Sequence, residues 1–146
     1  MSGRTVREVV DIDAPARQVW DHVVDWGRQG DWIPGTRVRT IGAGTGVGAR
    51  IEAWTGLGGL GVTDTMTITA WDPPHRCEVL HTGRLVRGEG GFVVVPQGSD
   101  RARFEWWECL VLPAGPVGSL AWRALGPAVR LTVRRSLGTL KHLVES

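Results

Sequence analysis

The stretch GAGTGVGARIEAWTGLGGLGVTDTMTI, residues 42–68, decides the fold. Its first seven residues have the look of a nucleotide-binding loop. A phosphate cradle needs a helix directly after the glycines, because the helix N-terminus supplies the N–H donors and the dipole. A Walker loop adds G-K-[ST], and a dinucleotide fingerprint needs strand, G-x-G-x-x-G, helix. Here GAGTGVG is followed by ARIEAW, which reads as a strand, and no G-K-[ST] is present. The glycines therefore predict a strand-to-strand turn at 42–48. Gly56, Gly58, Gly59 and Gly61 predict a mobile loop at 56–61, able to open and close over a cavity mouth.

Outward from this stretch the period is two. In VTDTMTITAW (62–71), Val62, Met66, Ile68 and Ala70 share one face with Asp64, and four threonines share the other. TRVRTIG, ARIEAW, RCEVLHT, GFVVV and ARFEWWECLVL are further strands, each bounded by Gly, Pro, Asp or Ser. Their close spacing argues for antiparallel meanders. WDPPHR and PQGSD are turns. Upstream, TVREVVDID is a strand with Val6, Val10 and Ile12 on one face. Pro15 then opens a short helix carrying Val19, Trp20, Val23 and Val24, which Gly27 ends. A second helical turn follows at 28–32. Downstream, residues 116–146 form an amphipathic helix. Leu120, Ala121, Leu125, Ala128, Val133, Leu137, Leu140 and Val144 lie on one broad face, and Gly126-Pro127 predicts a kink.

Composition narrows the function classes. The 146 residues suit one domain, 1–146, with 42% hydrophobic and 22% charged residues. No apolar run is long enough to span a membrane, and no signal core is present, so a cytoplasmic protein without membrane insertion is expected. Cys77 and Cys109 lack metal-ligand spacing and read as reduced thiols in apolar strands; no metal and no cofactor is expected. Lys141 is the only lysine among 17 basic residues, and the net charge is +2. The densest basic patch, VRRSLGTLKH, reads as a solvated helix face rather than a nucleic-acid surface.

The order of motifs resembles the START-like superfamily, also called SRPBCC, over essentially the whole chain. VDIDAPARQVWDHVVDWGRQGDWIPG matches its opening, followed by the G-V-G-A-R run, the W-D-P-P turn and the closing L-x-x-L-K helix. The subgroup it is most similar to is the polyketide cyclase/dehydrase and lipid-transport family. The resemblance implies an α+β helix-grip fold: a seven-stranded antiparallel sheet wrapped around a long C-terminal helix, with two short helices closing one end. It also implies a hydrophobic cavity between sheet and helix. A curved sheet with one apolar face needs a partner, and one helix cannot fill its whole concave side.

Strand parity selects the cavity residues. Phe104, Trp106 and Glu108 share the inward face of 102–112. Cys77, Val79 and His81 share that of 77–81. A tight hairpin at Pro73-Pro74 sets residues 64–66 beside 81–83, which makes Asp64 and His81 neighbours. Asp64, His81 and Glu108 are thus candidate acid–base groups, because an acid–histidine pair in an apolar pocket can serve as a general base. The alternatives are a wet cavity rim for Asp64 and His81, and an ion pair with Arg103 or Arg50 for Glu108. Candidate ligand-binding residues are Arg50, Trp54, Met66, Ile68, Val79, Phe104, Trp106 and Leu125. The resemblance to aromatase/cyclases implies an inward arginine and hydroxyl groups; tyrosine is absent here, and Arg50 is the arginine best placed for that role, with the inward set of ARIEAW open between Ile51/Ala53 and Glu52/Trp54.

Three functions compete. The favoured one is binding or transport of a hydrophobic small molecule, such as a lipid, quinone or polyketide. The second is a polyketide cyclase or dehydratase. The third is a protein-interaction module. The chain is expected to be a monomer or homodimer.

Overall fold

The computed structural model describes residues 2–83, 86–112 and 115–146. Its strands are β1 (Ser2–Ile12), β2 (Thr36–Ile41), β3 (Arg50–Leu57), β4 (Leu60–Asp72), β5 (Arg76–Thr82), β6 (Arg87–Pro96) and β7 (Ala102–Leu112). They form one antiparallel sheet in the order β1-β7-β6-β5-β4-β3-β2. A short helix α1 (Ala16–Val23) and a 3-10 turn (Trp26–Asp31) lie between β1 and β2, and the long helix α2 (Pro116–Glu145) ends the chain. This is the helix-grip architecture expected from the sequence.

The inner face of the sheet follows the period of two. Ile51 and Ala53 on β3, Cys77, Val79 and His81 on β5, Phe92 and Val94 on β6, and Ala102 and Phe104 on β7 are all buried. The helix α1 buries Val19, Trp20 and Val23 against one end. There Trp20 meets Trp71 edge-on, with ring centroids 5.2 Å apart. Each fully buried aliphatic side chain contributes about 1.5–3 kcal/mol relative to leaving it in water. Trp32, Phe92, Phe104 and Trp106 form a second aromatic group, with all neighbouring centroids between 5.2 and 6.2 Å.

Three expectations need correction. The segment 56–61 is not a free loop. β3 and β4 stay paired out to Leu57 opposite Leu60, and only Gly58 and Gly59 lie between them. Both have positive φ (62° and 85°), the geometry of a two-residue hairpin whose twist matches the strands. Gly56 and Gly61 leave room for the Trp54 ring, since a Cβ on either would come within 2.8 Å of it. Second, the β4 alternation does not run through to Ala70. The register slips between Ile68 and Ala70, so Ala70 pairs with Glu78 and Trp71 with buried Cys77. That β-bulge brings Trp71 inward. Third, only the C-terminal half of α2 is a core helix. Val133, Leu137, Leu140 and Val144 are buried, whereas Leu120 is 69% exposed and Leu125 61% exposed. Pro127 lies inside α2, which runs as one helix from Pro116 to Glu145. The turn at 42–48 joins β2 to β3 as expected, with Gly42, Gly44, Gly46 and Gly48 all at positive φ. No helix among the described residues is long and apolar enough to cross a membrane.

Candidate functional site

Between the sheet and the N-terminal half of α2 lies a cavity of about 470 Å³. Its walls are mostly apolar. β3 contributes Ile51 and Ala53, β4 Met66, β5 Val79, β6 Phe92 and β7 Trp106 and Leu110, while Leu125, Val129 and Val133 face them from α2. Trp26 and Gln29 of the 3-10 turn line it too. The Trp26 indole N–H donates to the Gly44 carbonyl at 2.7 Å, which ties the 42–48 turn to this wall. The Gln29 amide donates to the Val23 carbonyl at 3.1 Å, and the Thr36 and Thr55 hydroxyls bond each other at 3.0 Å.

Three charged side chains interrupt the apolar wall, and strand register brings them together. Met66 lies directly opposite His81 across the β4–β5 pair. Asp64, two residues back on the same face of β4, reaches the ring diagonally. Val79 pairs with Gly90, and Gly90 in turn with Glu108, so the inward face carries Glu108 to the other side of His81. The His81 Nδ1–H donates to both Asp64 oxygens, at 2.9 and 3.0 Å. Its Nε2–H donates to Glu108 Oε2 at 2.7 Å. The Trp106 indole N–H donates to Glu108 Oε1 at 3.0 Å. The His81 side chain is 3% exposed and each carboxylate side chain 17%.

Both ring nitrogens face carboxylate oxygens. A neutral imidazole has one N–H and one lone pair, so between two ionised carboxylates imidazolium is the form that satisfies both bonds. Burial alone would lower the His81 pKa, but the hydrogen bonds and charges of Asp64 and Glu108 outweigh it and push it up to about 10. His81 is therefore a held cation at neutral pH, not a free base. The acceptors with lone pairs to spare are the carboxylates. Among the described residues, no group of three or more His, Cys, Asp and Glu side chains is arranged to hold a metal ion. Cys77, on the same wall, is a free thiol pushed up to about 12 by burial.

The structure thus gathers Asp64, His81 and Glu108 into one cluster, with His81 buried rather than on a wet rim. Glu108 pairs with neither arginine expected: Arg103 binds Asp11 at 2.9 Å, and Arg50 is exposed. Met66, Val79, Trp106 and Leu125 line the cavity. The other four ligand candidates do not. Ile68 and Phe104 are in the sealed core, 1% and 0% exposed. Arg50 and Trp54 take the opposite parity from Ile51 and Ala53 and so project from the outer face. There Arg37 stacks over the Trp54 ring at 5.7 Å.

Several wall residues escape the sequence reading. Phe92 shares the inward parity of β6, which GFVVV alone could have shown. Trp26 and Gln29 sit on an irregular turn with no period to read. Gly90 is a site residue by what it lacks: a Cβ there would stand 2.3 Å from Glu108 Oε2. The missing side chain is what lets the Glu108 carboxylate lie over β6.

The profile of the family described as polyketide cyclase/dehydrase and lipid transport matches residues 4–145. No curated protein matches the chain in sequence. Among solved structures, the Zhui aromatase/cyclase from Streptomyces sp. R1128 superposes with a TM-score of 0.80 at 19% identity, covering 98% of this chain and 94% of that one. The di-domain ARO/CYC BexL from the BE-7585A biosynthetic pathway gives 0.77 at 24% identity, over 97% of this chain and 46% of that one, so the present chain spans about half of it. A START superfamily protein from Mycobacterium smegmatis gives 0.71 at 14% identity, over 95% and 98% of the two chains. At such identities these likenesses speak for the fold alone.

Proposed function

The chain belongs to the polyketide cyclase/dehydrase and lipid-transport family, and we propose that it binds a hydrophobic small molecule in the cavity between the sheet and α2. The observation that carries this is the cavity itself: about 470 Å³ of space with apolar and aromatic walls. Folding ordinarily fills such space, because unfilled apolar volume forfeits packing contacts. A cavity of this size with a few convergent polar groups is the usual form of a small-molecule site. Trp26 and Trp106 on the wall supply an intrinsic probe. Titration of tryptophan fluorescence with fatty alcohols, quinones and polycyclic aromatic polyketides should give saturable quenching by at least one class. No response from any class, with the protein shown folded by circular dichroism, overturns the proposal.

One observation favours a second reading, cyclisation or dehydration of a polyketide-like substrate: the Asp64–His81–Glu108 cluster lies on the cavity wall. In that reading a carboxylate, not His81, takes the proton next to a substrate carbonyl. The enolate so formed attacks a second carbonyl carbon, and the proton returns to the new alkoxide. The imidazolium stabilises negative charge on the neighbouring carboxylates and keeps them in place. Glu108→Gln and Asp64→Asn divide the readings. A carrier has no turnover to lose and keeps most of its affinity for an uncharged ligand, whereas an enzyme loses turnover while still binding.

A further inference from the structure

The charges on the cavity wall do not cancel. Asp64 and Glu108 each carry a negative charge, and His81 supplies one positive charge between them. Each ring nitrogen lies within hydrogen-bond distance of a carboxylate, and moving one proton from the ring to a carboxyl leaves the net charge of the cluster the same. Among the described residues no arginine or lysine lines the cavity. The wall therefore holds one uncompensated negative charge in mostly apolar surroundings.

The carboxylates also have unused acceptor capacity. Together they receive three N–H groups, two from His81 and one from the Trp106 indole. A pair of carboxylates offers about eight lone-pair positions. Both side chains line the cavity and retain some exposure. A charge held in poorly solvated surroundings is costly unless it is paired, and it discriminates strongly between ligand heads of opposite sign.

We propose that the occupant of this cavity is an apolar molecule bearing one cationic head, a protonated amine, which sits against the Asp64 and Glu108 carboxylates. Its apolar body lies along Met66, Val79, Phe92 and the α2 wall. A carboxylate- or phosphate-headed lipid meets repulsion at the same place. The inference rests on the cavity being a ligand site and specifies the ligand's class.

The test is isothermal titration of the full chain at pH 7 with decylamine, decanol and decanoate, each below its micelle concentration. The three share a tail and differ in head. Decylamine is expected to bind at least about tenfold more tightly than decanol, and decanoate more weakly than decanol. The chain's own net charge of +2 favours the anion, so an amine preference reports the cavity rather than the surface. Glu108→Gln and Asp64→Asn each remove one negative charge with little change of shape. In either variant the ratio of amine to decanol affinity is expected to fall to about threefold or less; if one variant fails to fold, the other decides. Decanoate binding as well as decylamine, equal affinity for amine and alcohol, or an amine advantage that survives both substitutions overturns the amine assignment and leaves the hydrophobic-site reading standing. Binding of none of the three, together with no fluorescence response to any ligand class, overturns both.

Discussion

At His81 two effects oppose each other. Burial removes the ring from water and favours its neutral form, while a carboxylate against each nitrogen favours the cation; the balance lies at about 10. In the unfolded chain the same ring titrates near 6.5. A folded pKa above the unfolded one means that the folded state binds the extra proton between those values. The contribution to stability is thus complete below about pH 6.5 and is lost as pH rises through about 10. Urea midpoints measured at pH 7, 9 and 10.5 should fall more steeply for the wild type than for His81→Gln, which has no proton to lose. Parallel slopes would show that His81 titrates as an ordinary histidine. Gly90 tests the same cluster from the other side. Gly90→Ala puts a Cβ 2.3 Å from where Glu108 Oε2 now lies, so the carboxylate must turn away from the ring. The variant should keep its circular dichroism but lower the alkaline limit of stability, because His81 loses one of its partners. Asp64, His81 and Glu108 were legible from strand parity, since each is a polar residue on an otherwise apolar face. Gly90 was not, because its contribution is an absent side chain. Arg50 and Trp54 were misplaced for lack of one fact, the parity of ARIEAW, which becomes readable only once Ile51 and Ala53 are seen packed inward.

The hairpin of β3 and β4 and the helix α2 show what the element scale adds. Counted as composition, GLGGLG looks like slack chain. Counted as register, it is two strands paired to Leu57 and Leu60 with only Gly58 and Gly59 to turn between them. Nothing lies within 4 Å of a Cβ at either glycine, so alanine there costs backbone strain alone. Replacing both should lower stability by about 1–2 kcal/mol per residue in chemical denaturation. Ligand association and dissociation rates should stay unchanged. A change in those rates would restore the moving loop that the glycine content suggests. Along α2 the hydrophobic period continues through both halves, but the sequence does not say which half has a neighbour. The C-terminal half packs against the core and the N-terminal half spans the cavity. Leu140→Ala should therefore cost about 2–5 kcal/mol, and Leu120→Ala, at a side chain 69% exposed, within about 0.5 kcal/mol. Equal costs for the two would mean that the N-terminal half is packed as well. The bulge in β4 belongs to the same lesson. Parity read from either end of 62–71 is sound, yet a single slip at Ile68/Ala70 exchanges Ala70 for Trp71 on the inner face.

For the molecule as a whole, a sheet that curves around one helix encloses more volume than its side chains fill. The C-terminal half of α2, α1 and the Trp20–Trp71 pair fill one end. The other end is left to the cavity, with the charged cluster set in its wall. A protein built only for stability would place larger residues there, and this chain keeps Ala53 and Ala128 on the lining. Stability and binding therefore pull in opposite directions at these positions, and one substitution separates them. Ala53→Phe projects a ring from β3 into the open volume, beside Asp64 on the paired strand, where it buries apolar surface. The free protein should be unchanged or more stable by about 0.5–2 kcal/mol, the usual return from filling a cavity. Affinity for any ligand that quenches the wall tryptophans should fall at least about tenfold. Thermal melting of the free protein and fluorescence titration, run on the same preparation, read the two effects independently. A destabilised variant that still binds would mean that Ala53 faces packed core and that the ligand lies elsewhere. A stabilised variant that no longer binds would show that the small residues on the β3 wall are held for the ligand, at the expense of the fold.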